Sequence, residues 1–125
     1  MHRKNYNLLK KLLRDRQRKL SNWNSLFEKF VNDAVSSLGK KVTLILIGSR
    51  AGEDYESYSD FDLVVFYDSI DEEKLFEVLN KLRPKGVPID LITVHINAFD
   101  DPLIKKMLNG GKILHNGLNL CLDNL

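Results

Sequence analysis

Apolar residues in the first third of the chain recur mostly at three- and four-residue steps: Leu9, Leu12, Leu13, Leu20, Trp23, Phe27, Phe30, Ala34 and Leu38. This spacing predicts a helix over residues 5–38, stopped by Gly39. Unbroken, it would reach ~50 Å, against a radius of gyration near ~14 Å for a compact domain of this size. A break or bend is therefore expected at Ser21, which can cap a second helix. The alternative is a projecting basic first half that would want a partner. The period changes at Val42. Residues 42–47 (Val-Thr-Leu-Ile-Leu-Ile) are nearly all apolar and rich in β-branched side chains, the pattern of a buried central strand. Residues 48–60 are polar and irregular, with room for one helical turn. A second strand is predicted over 61–67. Ser69-Ile70-Asp71-Glu72 has the form of a capping box and opens a helix to about Arg83, with Leu75, Phe76, Leu79 and Leu82 on one face. Pro84, Gly86 and Pro88 end it. A third strand over 89–96, a last helix over 99–108 closed by Asn109-Gly110-Gly111, and a short extended tail complete the pattern. The order is α-β-α-β-α-β-α. It predicts an α/β (α+β) fold with a small mixed sheet of about three strands flanked by helices.

Composition narrows this picture. At 125 residues, 43% hydrophobic and 29% charged, the chain has the make-up of one globular domain. No apolar run approaches the ~18 residues of a membrane span, and no secretory signal is visible at the start. A single cysteine, Cys121, excludes an internal disulfide and a cysteine-built zinc site, so a reducing cytosol is the expected compartment. The net charge of +2 hides an asymmetry. Residues 1–20 hold eight Lys/Arg and one Asp, giving +7, while the remainder holds eleven Lys/Arg and sixteen Asp/Glu, giving −5. A basic helical arm over 1–24 and a single domain over 25–125 follow. Such an arm can meet nucleic acid through residues 1–20, meet an acidic partner, or simply present a solvated face.

Chemistry concentrates in the acids that open the strands. A period of two puts Asp60 and Asp62 on one face of the second strand with Val64 and Phe66, and Asp90 on the corresponding face of the third with Ile92 and Val94. The helix between these strands makes a crossover, so they run parallel with their starting ends together. Asp90 then lies beside Asp60 and Asp62. If residues 48–60 form a wide hairpin, Gly48-Ser49 reaches the same edge. Three carboxylates ~5 Å apart repel by ~3 kcal/mol per pair at an effective dielectric near ~20. Protonation or bound cations must relieve this, and an all-oxygen ligand set favours Mg²⁺ or Mn²⁺. Gly48 lets backbone amides approach a phosphate, Ser49 adds a hydroxyl, and Arg50 is a candidate for phosphate charge.

Together, Gly48-Ser49, the ten residues that follow, and Asp60-Phe61-Asp62 resemble the signature of the minimal nucleotidyltransferases, within the DNA polymerase beta superfamily. Asp90, in Pro88-Ile89-Asp90-Leu91, fits that family's third acid. The likeness covers residues 25–117. The resemblance implies a nucleotidyltransferase fold and metal-dependent transfer of a nucleoside monophosphate, usually AMP from ATP, to an acceptor hydroxyl. Asp60 and Asp62 would bind metal. Asp90 would help hold the catalytic metal and assist deprotonation of the acceptor. Gly48 and Ser49 would hold the terminal phosphates. Many small members of this group pair, as antitoxins, with an all-helical HEPN-family toxin, which makes such a protein the implied partner. One departure stands out: Gly52-Glu53 occupy the place of the usual Arg-Gly, exchanging a basic residue for an acidic one.

Other residues carry weaker signals. His95 alternates with apolar neighbours and suits strand packing better than catalysis. His115 and Lys112 lie near the tail, and Lys112 follows Gly111 as a candidate phosphate contact. Tyr55 and Tyr58 flank the motif in a loop, where one could stack on a base. Trp23, Phe27 and Phe30 have core spacing. Two rival readings compete with the enzyme: a non-catalytic module that neutralises a partner by contact, and a nucleic-acid binder using the basic arm. The sequence leaves the oligomeric state open.

Overall fold

A computed structural model describes residues 2–52 and 59–122, with side chains described outside 2–6 and 16–21. Helix α1 spans His2–Leu38 without interruption, about 55 Å at 1.5 Å per residue. The expected break at Ser21 is absent. Leu9, Leu13, Phe27, Val31, Ala34 and Leu38 fall within about 60° of one another at 100° per residue, so one straight helix keeps the stripe aligned. The helix exceeds the size of a compact domain because its first half lies off the packed body: Leu8, Leu9, Leu12 and Leu13 are 52–58% exposed. In the second half, Phe27, Phe30, Val31, Ala34 and Leu38 are buried.

After a turn at Gly39–Lys41, strand β1 (Val42–Ile47) enters the centre of the molecule. Strand β2 (Phe61–Tyr67), helix α2 (Glu72–Leu82), strand β3 (Ile89–His95), helix α3 (Pro102–Leu108) and strand β4 (Lys112–Asn116) follow. The sheet order is β3-β2-β1-β4; β2 and β3 are parallel, and β1 runs antiparallel to both β2 and β4. The central strands read as apolar runs because both sheet faces are covered. On one face Leu44, Leu46, Phe61, Leu63 and Val65 pack against α1 and α2. On the other, Ile45, Val64, Phe66 and Val94 pack against Leu108 of α3 and the chain after β4. Among the described residues no helix is long and apolar enough to cross a membrane.

Three local expectations change. The capping box does not form: Asp71 is the N-cap of α2 with no side-chain bond, Ser69 takes a positive φ of 63°, and Glu72 accepts the Tyr67 hydroxyl at 2.7 Å instead of reaching back. The last helix begins at Pro102, where Asp101 accepts the Leu103 amide at 2.9 Å, because a residue before proline avoids helical geometry. Residues 96–98 form a separate short turn. The tail is a fourth strand, tied to β1 where the buried Thr43 hydroxyl donates to Asn116 Oδ1 at 2.9 Å and accepts the Leu118 amide at 3.1 Å. Gly117 makes this crossing feasible, since any side chain there would strike the carbonyls of Gly39 and Val42.

Candidate active site

The parallel pairing of β2 and β3 sets Asp62 directly opposite Asp90, and the antiparallel pairing of β1 and β2 sets Ile47 opposite Asp62. Neighbouring strands lie about 4.8 Å apart, so the two carboxylates share one face and one edge of the sheet. Asp60 stands two residues before Asp62, just ahead of the strand, and is exposed, as is Asp90. Asp62 is half-buried. Burial raises its pKa above the ordinary aspartate value, and the charges of Asp90 and then Asp60 raise it further. The charges of Asp90 and Asp60 thus both act on Asp62.

Gly48 closes the site. Its φ of 74° with ψ of −159° belongs to glycine alone, and a Cβ there would stand 2.6 Å from Asp62 Oδ2. Backbone and carboxylate approach this closely only because position 48 carries no side chain. A 3-10 turn, Ser49–Ala51, starts at once, with the Ala51 amide donating to the Gly48 carbonyl at 3.2 Å. Ser49 is exposed at the head of that turn.

Arg50 goes elsewhere. It is 5% exposed, its Nε donates to the Ser59 carbonyl at 2.9 Å, and its Nη1 donates to Asn24 Oδ1 at 3.0 Å. The guanidinium lies 4.1 Å from the centre of the Phe61 ring, which in turn stacks on Phe27 at 4.3 Å. Phe61 and Asp62 are successive strand residues and point to opposite faces. Arg50 thus sits on the α1 side of the sheet, away from the carboxylates, and ties the glycine turn to the helix. Arg50, expected to contact phosphate, here bonds the Ser59 carbonyl and Asn24. The sequence hid this because the partners, Asn24 and the Ser59 carbonyl, carry no motif.

The remaining candidates fall outside the site. His95 lies at the far end of β3, its Nδ1 accepting the Asn97 amide at 3.1 Å and its ring edge-on to Tyr67. His115 bonds the Gly39 carbonyl through Nε2 at 2.8 Å. Lys112 borders a hollow on the α1 side. Glu53, Tyr55 and Tyr58 lie outside the described residues.

Among the described residues no three His, Cys, Asp or Glu side chains form a ready-made metal cage. The donor set nonetheless fits a hard divalent cation. It consists of carboxylate oxygens, one of them raised in pKa by its neighbours, on an open edge where phosphate and water can complete a shell.

Sheet topology, acid-bearing strand starts and a glycine turn together define a nucleotidyltransferase-type domain, and comparison with known proteins agrees. Residues 29–117 match the family model "Polymerase beta, Nucleotidyltransferase", and the chain belongs to that family. The fold is similar to the crystal structure of "a putative nucleotidyltransferase from Sulfolobus solfataricus", with a TM-score of 0.53 and 16% identity over 77% of this chain and 82% of that one. No curated protein matches the sequence.

Proposed function

We propose that this protein transfers a nucleoside monophosphate, in the first instance AMP from ATP, to an acceptor hydroxyl. The observation that carries the reading is the register that sets Asp62 against Asp90, beside a glycine turn that only a residue without a side chain can make. Asp60, Asp62 and Asp90 would hold Mg²⁺ or Mn²⁺, which neutralises the triphosphate and the charge that develops as pyrophosphate leaves. Gly48 and Ser49 offer a backbone amide and a hydroxyl to the terminal phosphates. Asp90, exposed at the sheet edge, would assist deprotonation of the attacking hydroxyl. Arg50 contributes by fixing the turn that carries Gly48 and Ser49.

The motif resemblance, with its short Gly-Ser to Asp-x-Asp spacing, supports the finer assignment to the minimal nucleotidyltransferases. It also supports a HEPN-type toxin as the protein that bears the acceptor. Incubation of the chain with each α-labelled NTP, Mg²⁺ or Mn²⁺ and a lysate of its source organism tests the activity. A labelled band that disappears with Asp60→Asn/Asp62→Asn is expected. Equal labelling by the folded double variant would refute the assignment of the acids, and neutralisation of a partner by that variant would favour action by contact.

A further inference from the structure

The sheet is four strands wide, yet the face that carries α1 and α2 has helices over only part of it. Beside α1, over β4, lies an open furrow. It comprises two hollows of about 640 and 200 Å³ that share Phe27, Glu28 and Leu114, the smaller also lined by Val31 and Asn32. The smaller hollow has an apolar floor of Phe27, Val31 and Leu114 with the acid Glu28 on its α1 wall, while the larger is of mixed polarity and also holds Arg50 and Lys112. At the other end of the same helix, Leu8, Leu9, Leu12 and Leu13 stand 52–58% exposed in an unbroken helical arm that continues the core stripe. Because α1 is one uninterrupted helix whose Leu8, Leu9, Leu12 and Leu13 are exposed, these leucines are not packed on their own body.

We propose that two copies of this chain form a twofold dimer by exchanging arms, the leucine stripe of each lying in the furrow between α1 and β4 of the other. The helix geometry supports the match. At 100° per residue from Phe27, Glu28 and Asn32 lie on the flank of α1 that borders the furrow. Lys10 and Arg14 lie on the same flank of the arm. A twofold axis at the level of residue 20, perpendicular to the helix, sets two copies of α1 antiparallel with those flanks facing. Leu9 then comes level with Val31 of the other copy and Leu13 with its Phe27, while Lys10 and Arg14 bracket its Glu28. Charge favours this pairing at the smaller hollow, where Glu28 is the charged lining residue, whereas two arms packed on each other would set +7 against +7. A symmetric, self-complementary contact of this kind closes on itself at two copies.

Sedimentation velocity of the full chain tests the proposal. The expected mass is twice 14.4 kDa. Leu9→Glu/Leu13→Glu, at positions exposed in the single chain, should give a monomer with unchanged circular dichroism. Glu28→Lys should raise the dimer dissociation constant about fivefold, less so at high salt. In a Cys121→Ser background, Leu9→Cys with Asn32→Cys should oxidise to a covalent dimer, and Leu9→Cys alone should not. A monomeric chain overturns the proposal, including one whose arm binds nucleic acid or anionic vesicles instead. So does a dimer that survives Leu9→Glu/Leu13→Glu, or one that cross-links through Leu9→Cys alone.

Discussion

Asp62 is where the fold accepts a local cost for a chemical site. Its carboxyl is harder to ionise in the folded protein than in the unfolded chain, first through burial and then through Asp90 and Asp60. Ionised Asp62 therefore opposes folding. This penalty is absent below the ordinary aspartate range and grows as pH rises through the elevated folded value. Asp62→Asn should accordingly raise the melting temperature of the metal-free protein at neutral pH, with the gain vanishing in acid; melting curves across pH check both. Gly48→Ala should act oppositely. Its backbone angles cost about 1–3 kcal/mol for a residue with a Cβ, and that Cβ meets Asp62 Oδ2 at 2.6 Å. Denaturant midpoints should fall, and nucleotidyl transfer with them. Arg50→Met should lose about 2–3 kcal/mol of stability through its charged hydrogen bonds to Ser59 and Asn24, and should weaken transfer by loosening the turn. If Arg50 contacted phosphate, Arg50→Met would instead raise the KM for NTP with stability unchanged.

Among the elements, β1, β2 and β3 were legible in the sequence because burial on both faces leaves continuous apolar runs. The crossover helix α2 also showed its apolar face. From the parallel crossover alone, Asp62 and Asp90 could be set together, and the register confirms that placement. What could not be read depended on distant partners. Strand β4 has no apolar run, with Lys112, His115 and Asn116 along it. It is fixed by Thr43 and by the close passage of Gly117 over Gly39 and Val42. The Ser69 capping box looked sound but lost Glu72 to the Tyr67 hydroxyl. Asn116→Ala tests the tie of β4 to β1. It removes the acceptor of the buried Thr43 hydroxyl and of the Leu120 amide, and should cost about 1–3 kcal/mol. Hydrogen exchange should show faster amide exchange along β4, with β2 and β3 little changed.

For the whole molecule, two halves of one helix have separate work. The second half of α1 completes the core against β1 and β2 and anchors Arg50 through Asn24, so it reaches the glycine turn from behind. The described side chains of the first half take no part in that core. The carboxylate edge lies on the opposite face of the sheet from α1, which leaves it open to nucleotide whether or not the arm is engaged. The central claim is that Asp60, Asp62 and Asp90 act together as a cation and triphosphate site at that edge. The most direct measurement is an anomalous difference map from crystals grown with Mn²⁺ and a non-hydrolysable ATP analogue. A manganese peak among these three carboxylates is predicted, with the analogue's phosphates against Gly48 and Ser49. Bound analogue elsewhere, or no manganese peak between Asp62 and Asp90 in crystals that hold the analogue, would contradict the claim.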